Sequence, residues 1–423
     1  MRKSLLALLA LAAPLGAQNA TLTPNPTMTP RLRTALDIIK ADNAWTVEQQ
    51  RSICEIAAPP FKEQARGLEM KRRFEALGYK KVHIDSIGNV IAEKTGNGSW
   101  PTLVIAGHLD TVFPEGTDVK VRMTGTRMAA PGISDDCRGL AVLLSVARAY
   151  AKANVETNGT VYFVANVGEE GPGNLRGTRY LFERELKGKI DAFISVDGGG
   201  AVGHVTSRAV GSIRYKVTYH GPGGHSYGAF GTANPIHALG RAIAMIGDIA
   251  VPSSPKTTFN VGIIGGGTSV NSIPFEGSAH VDMRSESEDE LQKVNAQVLG
   301  ILARARDAEN ARWNKSDPKE RISYTIDTIG IRPANSGQTD NTPIVVAALV
   351  AAKQLGITDT RLTASSTDAN YPMSIGVPAV TVNGGGTEDG SHSLTEWYDD
   401  GPAGWLGPQF AALLVAIIVG VKP

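Results

Sequence analysis

The sequence predicts an α/β protein: a mostly parallel sheet with helices on both faces, plus an inserted ferredoxin-like α+β unit. Three observations carry this. Helical and short apolar segments alternate from Arg31 to about Asp197, the order that builds parallel sheets. The middle of the chain changes to strand, helix, two strands, helix, strand, which is the ferredoxin-like order. Helix–strand alternation resumes at Thr342, so the middle unit reads as an insertion. A chain of 423 residues is also long for one hydrophobic core and suits two domains. The expected division is a principal domain of residues 31–209 and 334–423, with residues 210–333 inserted.

The elements follow in order. Thr46 to Ala57 and Lys62 to Leu77 have helical spacing of apolar residues, and Gly78 is a natural stop. Val82–Ile84 and Asn89–Ile91 suit strands. Thr102 to Ala106 is a short apolar run ending at Gly107 and reads as a buried strand. Gly139 to Ala151 is a helix, Thr160 to Val167 a strand rich in β-branched and aromatic residues, Arg176 to Glu185 a helix, and Ala192 to Val196 a buried strand. In the inserted unit, Ser212 to Tyr219 alternates as a half-exposed strand does. Asn234 to Ile249 is helical, Thr257 to Ile264 and Phe275 to Arg284 are strands, Ser287 to about Asn310 is a charged helix, and Arg321 to Ile329 is a last strand.

Composition excludes several classes. Hydrophobic residues at 42% and charged residues at 20% are ordinary for a soluble globular protein. The net charge of +1, from 42 Lys+Arg against 41 Asp+Glu, argues against nucleic acid and anionic membrane partners. The start of the chain reads as a signal peptide over residues 1–20. Arg2 and Lys3 precede the apolar run Ser4 to Ala13, and cleavage after Ala17 or Ala20 fits, which predicts a periplasmic or secreted protein. The apolar run Phe410 to Val421 is too short to span a bilayer and suits a core helix. Cys54 and Cys137 permit one bridge in an oxidising compartment without requiring it.

Acidic and histidine residues fall where the predicted buried strands end. Gly107-His108-Leu109-Asp110-Thr111 follows one strand, Ser134-Asp135-Asp136 precedes a helix, Gly168-Glu169-Glu170-Gly171 follows the next strand, and Asp197-Gly198-Gly199 the next. His392 lies in the Gly-rich stretch Gly386 to Ser393. Ligands of open α/β sheets sit outside the carboxyl ends of the strands, so these loops converge in space. Each alone has a bland structural account: Asp135-Asp136 would serve as a helix cap, and Asp197 before glycines as a turn. Together, so many carboxylates in one place need cations. Imidazole and carboxylate donors suit zinc, with cobalt or manganese fitting as well, and paired metals need a bridging carboxylate and a separate proton shuttle.

These motifs resemble the family of two-metal exopeptidases and amidohydrolases that includes aminoacylase, peptidase T, acetylornithine deacetylase and glutamate-releasing bacterial carboxypeptidases. Gly107–Val112, Gly132–Asp136 and Glu169-Glu170-Gly171 match its three motifs. The resemblance implies that His108 and Asp197 bind one metal, Glu170 and His392 the other, and that Asp135 bridges both. It implies that Asp110 orients His108 from behind and that Glu169 is the general base and acid. Asp136 is the lesser candidate for the bridge. The family usually has Lys where Cys137 stands. The inserted unit resembles the family's dimerisation, or lid, domain, which implies a homodimer. In that unit Gly221–Ser226 matches a histidine loop, implying that His225 stabilises an oxyanion, often in the partner's site. Gly265–Asn271 matches a loop in which Asn271 binds substrate, and Arg284 is placed to hold a substrate carboxylate. Ser366–Asn370 also resembles a family loop near the site. His83, His204, His220, His237 and His280 read as structural. Asp at position 197 leans, by the resemblance, toward an aminopeptidase, tripeptidase or dipeptidase on short peptides. An N-acyl amino acid amidohydrolase or carboxypeptidase is the first alternative, and an inert metal-binding scaffold the alternative of another class.

Overall fold

The computed structural model describes residues 28–98, 100–314, 317–335 and 337–423; the segment read as a signal peptide lies outside them. Among the described residues, no helix is long and apolar enough to cross a membrane.

The principal sheet has eight strands, in the order Val82–Ile84, Val90–Lys94, Val161–Asn166, Leu103–His108, Ala192–Val196, Ala379–Val382, His204–Ala209 and Arg361–Ser365. From Val161–Asn166 to Ala379–Val382 all neighbours are parallel. Antiparallel pairs flank this centre. Leu103–His108 is buried along its whole length because both faces are covered, as parallel sheets require. Leu103, Ile105 and Phe163 join one core with the helices Cys137–Lys152 and Leu406–Val419. Val104, Ala106 and Val164 face the other way, onto Leu181, Phe182 and Met373. Each Val, Leu, Ile, Phe or Met side chain among them, removed from water, contributes about 1.5–3 kcal/mol.

The C-terminal helix begins earlier than its apolar run suggests, at Leu406, and is buried from Gly407 to Val419. The helix expected over Arg176 to Glu185 is α-helical only for Arg176–Tyr180 and continues as a wider π turn over Leu181–Glu185. Cys54 and Cys137 are free thiols, both fully buried, and the Cys54 thiol donates to the Pro131 carbonyl oxygen at 3.6 Å.

The inserted unit has its own core. Its antiparallel sheet runs Thr257–Gly266, Glu276–Ser285, Gly211–His220, Ser323–Arg332, the strand order of the ferredoxin-like arrangement. Two helices cover one face. Pro235–Gly247 starts at Asn234, whose side chain accepts the Ile236 and His237 N–H groups. Glu288–Trp313 starts at Ser287 with Glu288, Asp289 and Glu290 in its first turn, which suits the positive end of the helix. A stripe of Leu291, Val294, Val298, Leu302 and Ala305 faces the sheet. Its last strand returns to the principal domain at Arg332. A small sheet, Thr387–Asp389, Trp397–Asp399, Arg127–Ala129 and Arg122–Thr124, carries the hairpin on which His392 sits.

Candidate active site

The sheet sets the site by bringing helix Cys137–Lys152 against the end of strand Leu103–His108. A Cβ on Gly107 would lie 2.9 Å from Asp136 Oδ2, and one on Gly139 only 2.3 Å from the Val196 carbonyl oxygen, so both positions need glycine. Asp136 is not a donor to the cluster. It is fully buried and accepts N–H groups from Gly139 at 2.9 Å, Gly198 at 3.1 Å and His108 at 2.9 Å. It caps the helix and ties three loops together, a cap being worth about 1 kcal/mol.

The next residue back faces the cleft. Asp135 Oδ1 lies 2.9 Å from His108 Nε2, and Asp135 Oδ2 lies 3.0 Å from His392 Nε2. His392 Nε2 is also 3.0 Å from Glu170 Oε1, and His108 Nε2 is 4.0 Å from Asp197 Oδ1. Two donor sets result, His108–Asp135–Asp197 and Asp135–Glu170–His392, sharing Asp135. A third grouping, His108–Glu169–Glu170, also has its donor atoms within 4.8 Å of one another. Donor atoms around a tetrahedral zinc are about 3.3 Å apart, and the pairs here, at 2.9 to 4.0 Å, bracket that spacing. His392 has a left-handed backbone, φ 66°, a conformation that ordinary residues adopt only where surroundings enforce it.

Without cations this is a strained electrostatic arrangement. Burial, then the neighbouring Asp135, pushes the Asp197 carboxyl well above its ordinary range. Burial works to raise Asp135 too, but hydrogen bonds to His108 and His392 outweigh it and hold that carboxyl low. Those same bonds push His392 up to about 11, through Asp135 first and then Glu170. Burial opposes charge on His108, yet Asp135 and the other acids hold it well above the usual imidazole value. Imidazoles acting as cations among crowded carboxylates are the pattern expected where divalent ions belong.

Asp110 stands behind His108, with its main chain nearer the imidazole than its carboxylate. His108 Nδ1 is 3.0 Å from the backbone carbonyl oxygen of Asp110 and 3.7 Å from its carboxylate. The carboxylate accepts the Glu169 N–H at 3.1 Å and the Glu170 N–H at 2.9 Å. Asp110 thus orients His108 with its main chain and fastens the Glu169-Glu170 turn with its side chain.

Glu169 faces the cleft as the carboxylate outside the two donor sets that share Asp135. Its Oε1 lies 2.9 Å from Arg332, whose guanidinium also bonds the Glu169 carbonyl and the Ser366 hydroxyl. Burial pushes Glu169 up to about 8, with Arg332 opposing and Glu170 adding to the rise. The cleft has a volume of about 520 Å³. Arg214, Arg284 and Arg332 line its inserted-unit side. Asp282 holds two of them, Arg214 at 3.0 Å and Arg284 at 2.8 Å.

The cleft therefore gathers His108, Asp135, Glu169, Glu170, Asp197, His392 and Arg284. It does not gather His225 or Asn271, which sit on exposed loops of the inserted unit. There His225 pairs with Ser272, and the Ser226 N–H bonds the Asn271 carbonyl. Ser366 and Thr367 line the cleft, while Asp368 is buried behind it on Asn166 and Thr178. Sequence reasoning missed Arg332 and Arg214. Their available signal was position, at the last residue of one inserted strand and near the first of another.

A sequence profile described as Peptidase family M20/M25/M40 matches residues 104–411, well over half of the chain. The chain belongs to this family. It is accordingly a metallopeptidase or amide hydrolase. Among curated M20 relatives, carboxypeptidase G2 of Pseudomonas sp. (strain RS-16) is 26% identical over 321 residues, covering 69% of this chain and 76% of that protein. Succinyl-diaminopimelate desuccinylase of Nitrosococcus oceani is 27% identical, over 58% of this chain and 70% of that one. In fold, the chain is similar to aminopeptidase PepT from Bacillus cereus, with a TM-score of 0.70 at 21% identity, covering 88% of this chain and 97% of that one. It is similar also to human carnosine dipeptidase 1, with a TM-score of 0.70 at 14% identity, covering 93% and 100%.

Proposed function

We propose that this M20 protein is an exported two-metal exopeptidase that hydrolyses amide bonds of short peptides from the free amino end, with zinc as its resident metal. One observation carries the reading: two donor sets share Asp135, and Glu169 stands beside them as a further buried carboxylate. His108 and Asp197 would hold one ion, Glu170 and His392 the other, and Asp135 both. Cobalt or manganese suits the same donors. Bound ions supply Lewis acidity to the scissile carbonyl and acidify water. Glu169 takes the proton of the attacking water and hands it to the leaving amine, a task suited to a carboxyl whose pKa burial has raised. The Asp197 carboxylate, at the cleft wall, meets the substrate's amino group.

The arginines at the opposite wall support short substrates, since a free carboxylate there limits how far a peptide extends beyond the scissile bond. They also favour a second reading, an N-acyl amino acid amidohydrolase or carboxypeptidase, in which the arginines recognise the released amino acid; carboxypeptidase G2 among the relatives supports it. A homodimer through the inserted unit is part of the proposal. Tyr227, Phe230 and Val270 are strongly exposed around His225, and such apolar patches mark interfaces. That pairing carries His225 to the partner's cleft. Export rests on the N-terminal residues alone.

The test is hydrolysis of free-amino di- and tripeptides beside N-acetylated amino acids, with zinc, with and without chelator, and with Glu169→Gln as control. Chelator-sensitive cleavage of the free-amino peptides, lost in the control, supports the aminopeptidase reading. Cleavage confined to acetylated substrates overturns it in favour of the second reading. No metal-dependent turnover on a wider panel leaves an inert scaffold.

A further inference from the structure

Glu396 lies on the hairpin four positions beyond His392, is 1% exposed, and belongs to neither donor set. Its Oε1 accepts the N–H groups of Ser134 at 2.8 Å and Asp135 at 3.0 Å, and its Oε2 accepts that of Gly132 at 2.8 Å. Its own carbonyl accepts the Ala130 N–H at 3.2 Å. One side chain thus satisfies three of the loop's backbone donors. That loop presents Asp135, the carboxylate common to both donor sets. A buried carboxylate is costly unless its lone pairs are met, and here every bond it makes is to this loop. A salt-bridge or cap would serve stability as well with a partner elsewhere. This geometry instead fixes the segment bearing Asp135 to the segment bearing His392, whose Nε2 is 3.0 Å from Asp135 Oδ2.

We propose that Glu396 is a positioning residue for the metal centre: by clamping the backbone of Gly132, Ser134 and Asp135, it sets the separation of Asp135 from His392. The inference rests on the two-metal reading of the site. Partners that orient metal donors are typically worth about 10- to 100-fold in metal affinity. Because Asp135 belongs to both sets, loosening it weakens both ions.

The substitutions are graded. Glu396→Gln keeps one acceptor oxygen for Ser134 and Asp135 but turns an NH₂ toward the Gly132 N–H. Glu396→Ala removes all three bonds. Purified zinc-loaded protein is challenged with excess chromophoric chelator, and the rate and endpoint of zinc transfer are read beside the melting temperature. The expected result is a loss of zinc affinity of about 10-fold or more for Glu396→Gln at both ions, and a larger one for Glu396→Ala. Unchanged zinc release with a lowered melting temperature makes Glu396 merely structural and overturns the inference. Parent protein that holds neither zinc, cobalt nor manganese by elemental analysis overturns the two-metal reading and this inference with it. Amide hydrogen exchange on the parent protein needs no variant. Slow exchange at Gly132, Ser134 and Asp135, with and without metal, supports the clamp, and fast exchange in the chelated protein overturns it.

Discussion

Asp110→Asn separates two accounts of the same residue. If its carboxylate orients His108, the change should weaken the ion that His108 binds. The structure points elsewhere: His108 Nδ1 is held at 3.0 Å by the Asp110 main chain, which the substitution leaves in place. The carboxylate holds Glu169 N–H and Glu170 N–H at 3.1 and 2.9 Å, one on each oxygen. In asparagine one oxygen becomes NH₂ and meets a backbone N–H donor to donor. A hydrogen bond to a charged group contributes about 1.5–3 kcal/mol, and a stranded buried donor costs about 1–3 kcal/mol. A net loss of about 2–3 kcal/mol in holding the turn, expressed in positioning Glu169, lowers kcat about 30- to 150-fold. Glu170 shifts with it, so under the proposed two-metal function the ion held by Glu170 and His392 should bind more weakly while the ion of His108, Asp135 and Asp197 stays. The assay is kcat on a cleaved short peptide together with zinc competition against a chelator. Weakening of the ion of His108, Asp135 and Asp197 with the other ion unchanged, and normal turnover once zinc is restored in excess, would refute the argument and return the carboxylate to His108.

Other outcomes follow from the same geometry. Zinc should displace protons from His108 and His392, both held above their ordinary values; affinity should rise between about pH 6 and 9, and calorimetry in buffers of different ionisation enthalpy should detect the released protons. In chelated protein the sign of the His392 contribution is fixed by its raised pKa. Stability is fully present below the ordinary value of 6.5 and is lost as pH climbs toward about 11, so the melting temperature should fall over that window; a rise would contradict the assignment. Arg332→Met removes the cation that opposes burial at Glu169, so the acidic limb of the kcat profile should move to higher pH, and an unmoved limb would sever Arg332 from the base. Cys54 and Cys137, both buried and unoxidised, should resist a thiol reagent in native protein and yield two thiols on denaturation; none would mean the pair is bridged.

Much of the cleft was legible because strand ends are legible. His108, Glu169 and Asp197 each follow a short apolar run, and runs buried on both faces in a parallel sheet end on one side together. His392 was marked only by glycines and by the resemblance. What remained hidden belongs to antiparallel segments. Arg214 and Arg332 sit at the ends of neighbouring strands of the inserted sheet, and alternating polarity does not say which end meets the other domain. Glu396 gave no periodic signal, since its partners are backbone N–H groups more than 260 positions earlier in the chain. Spacing puts Asp110 beside His108, but which of its groups bonds the imidazole depends on a turn geometry that spacing does not encode.

Arg332 is the last rung of the inserted sheet and also the cation beside Glu169. This dual membership limits how the two units can drift apart over evolution. Side chains alternate faces along a strand, so one residue gained or lost just before Arg332 would turn its guanidinium to the opposite side. Surface loops of the same unit other than those bearing His225 and Asn271 carry no such constraint. Length variation should therefore collect at those loops and be barred from this joint, a pattern that an insertion scan read by activity would expose.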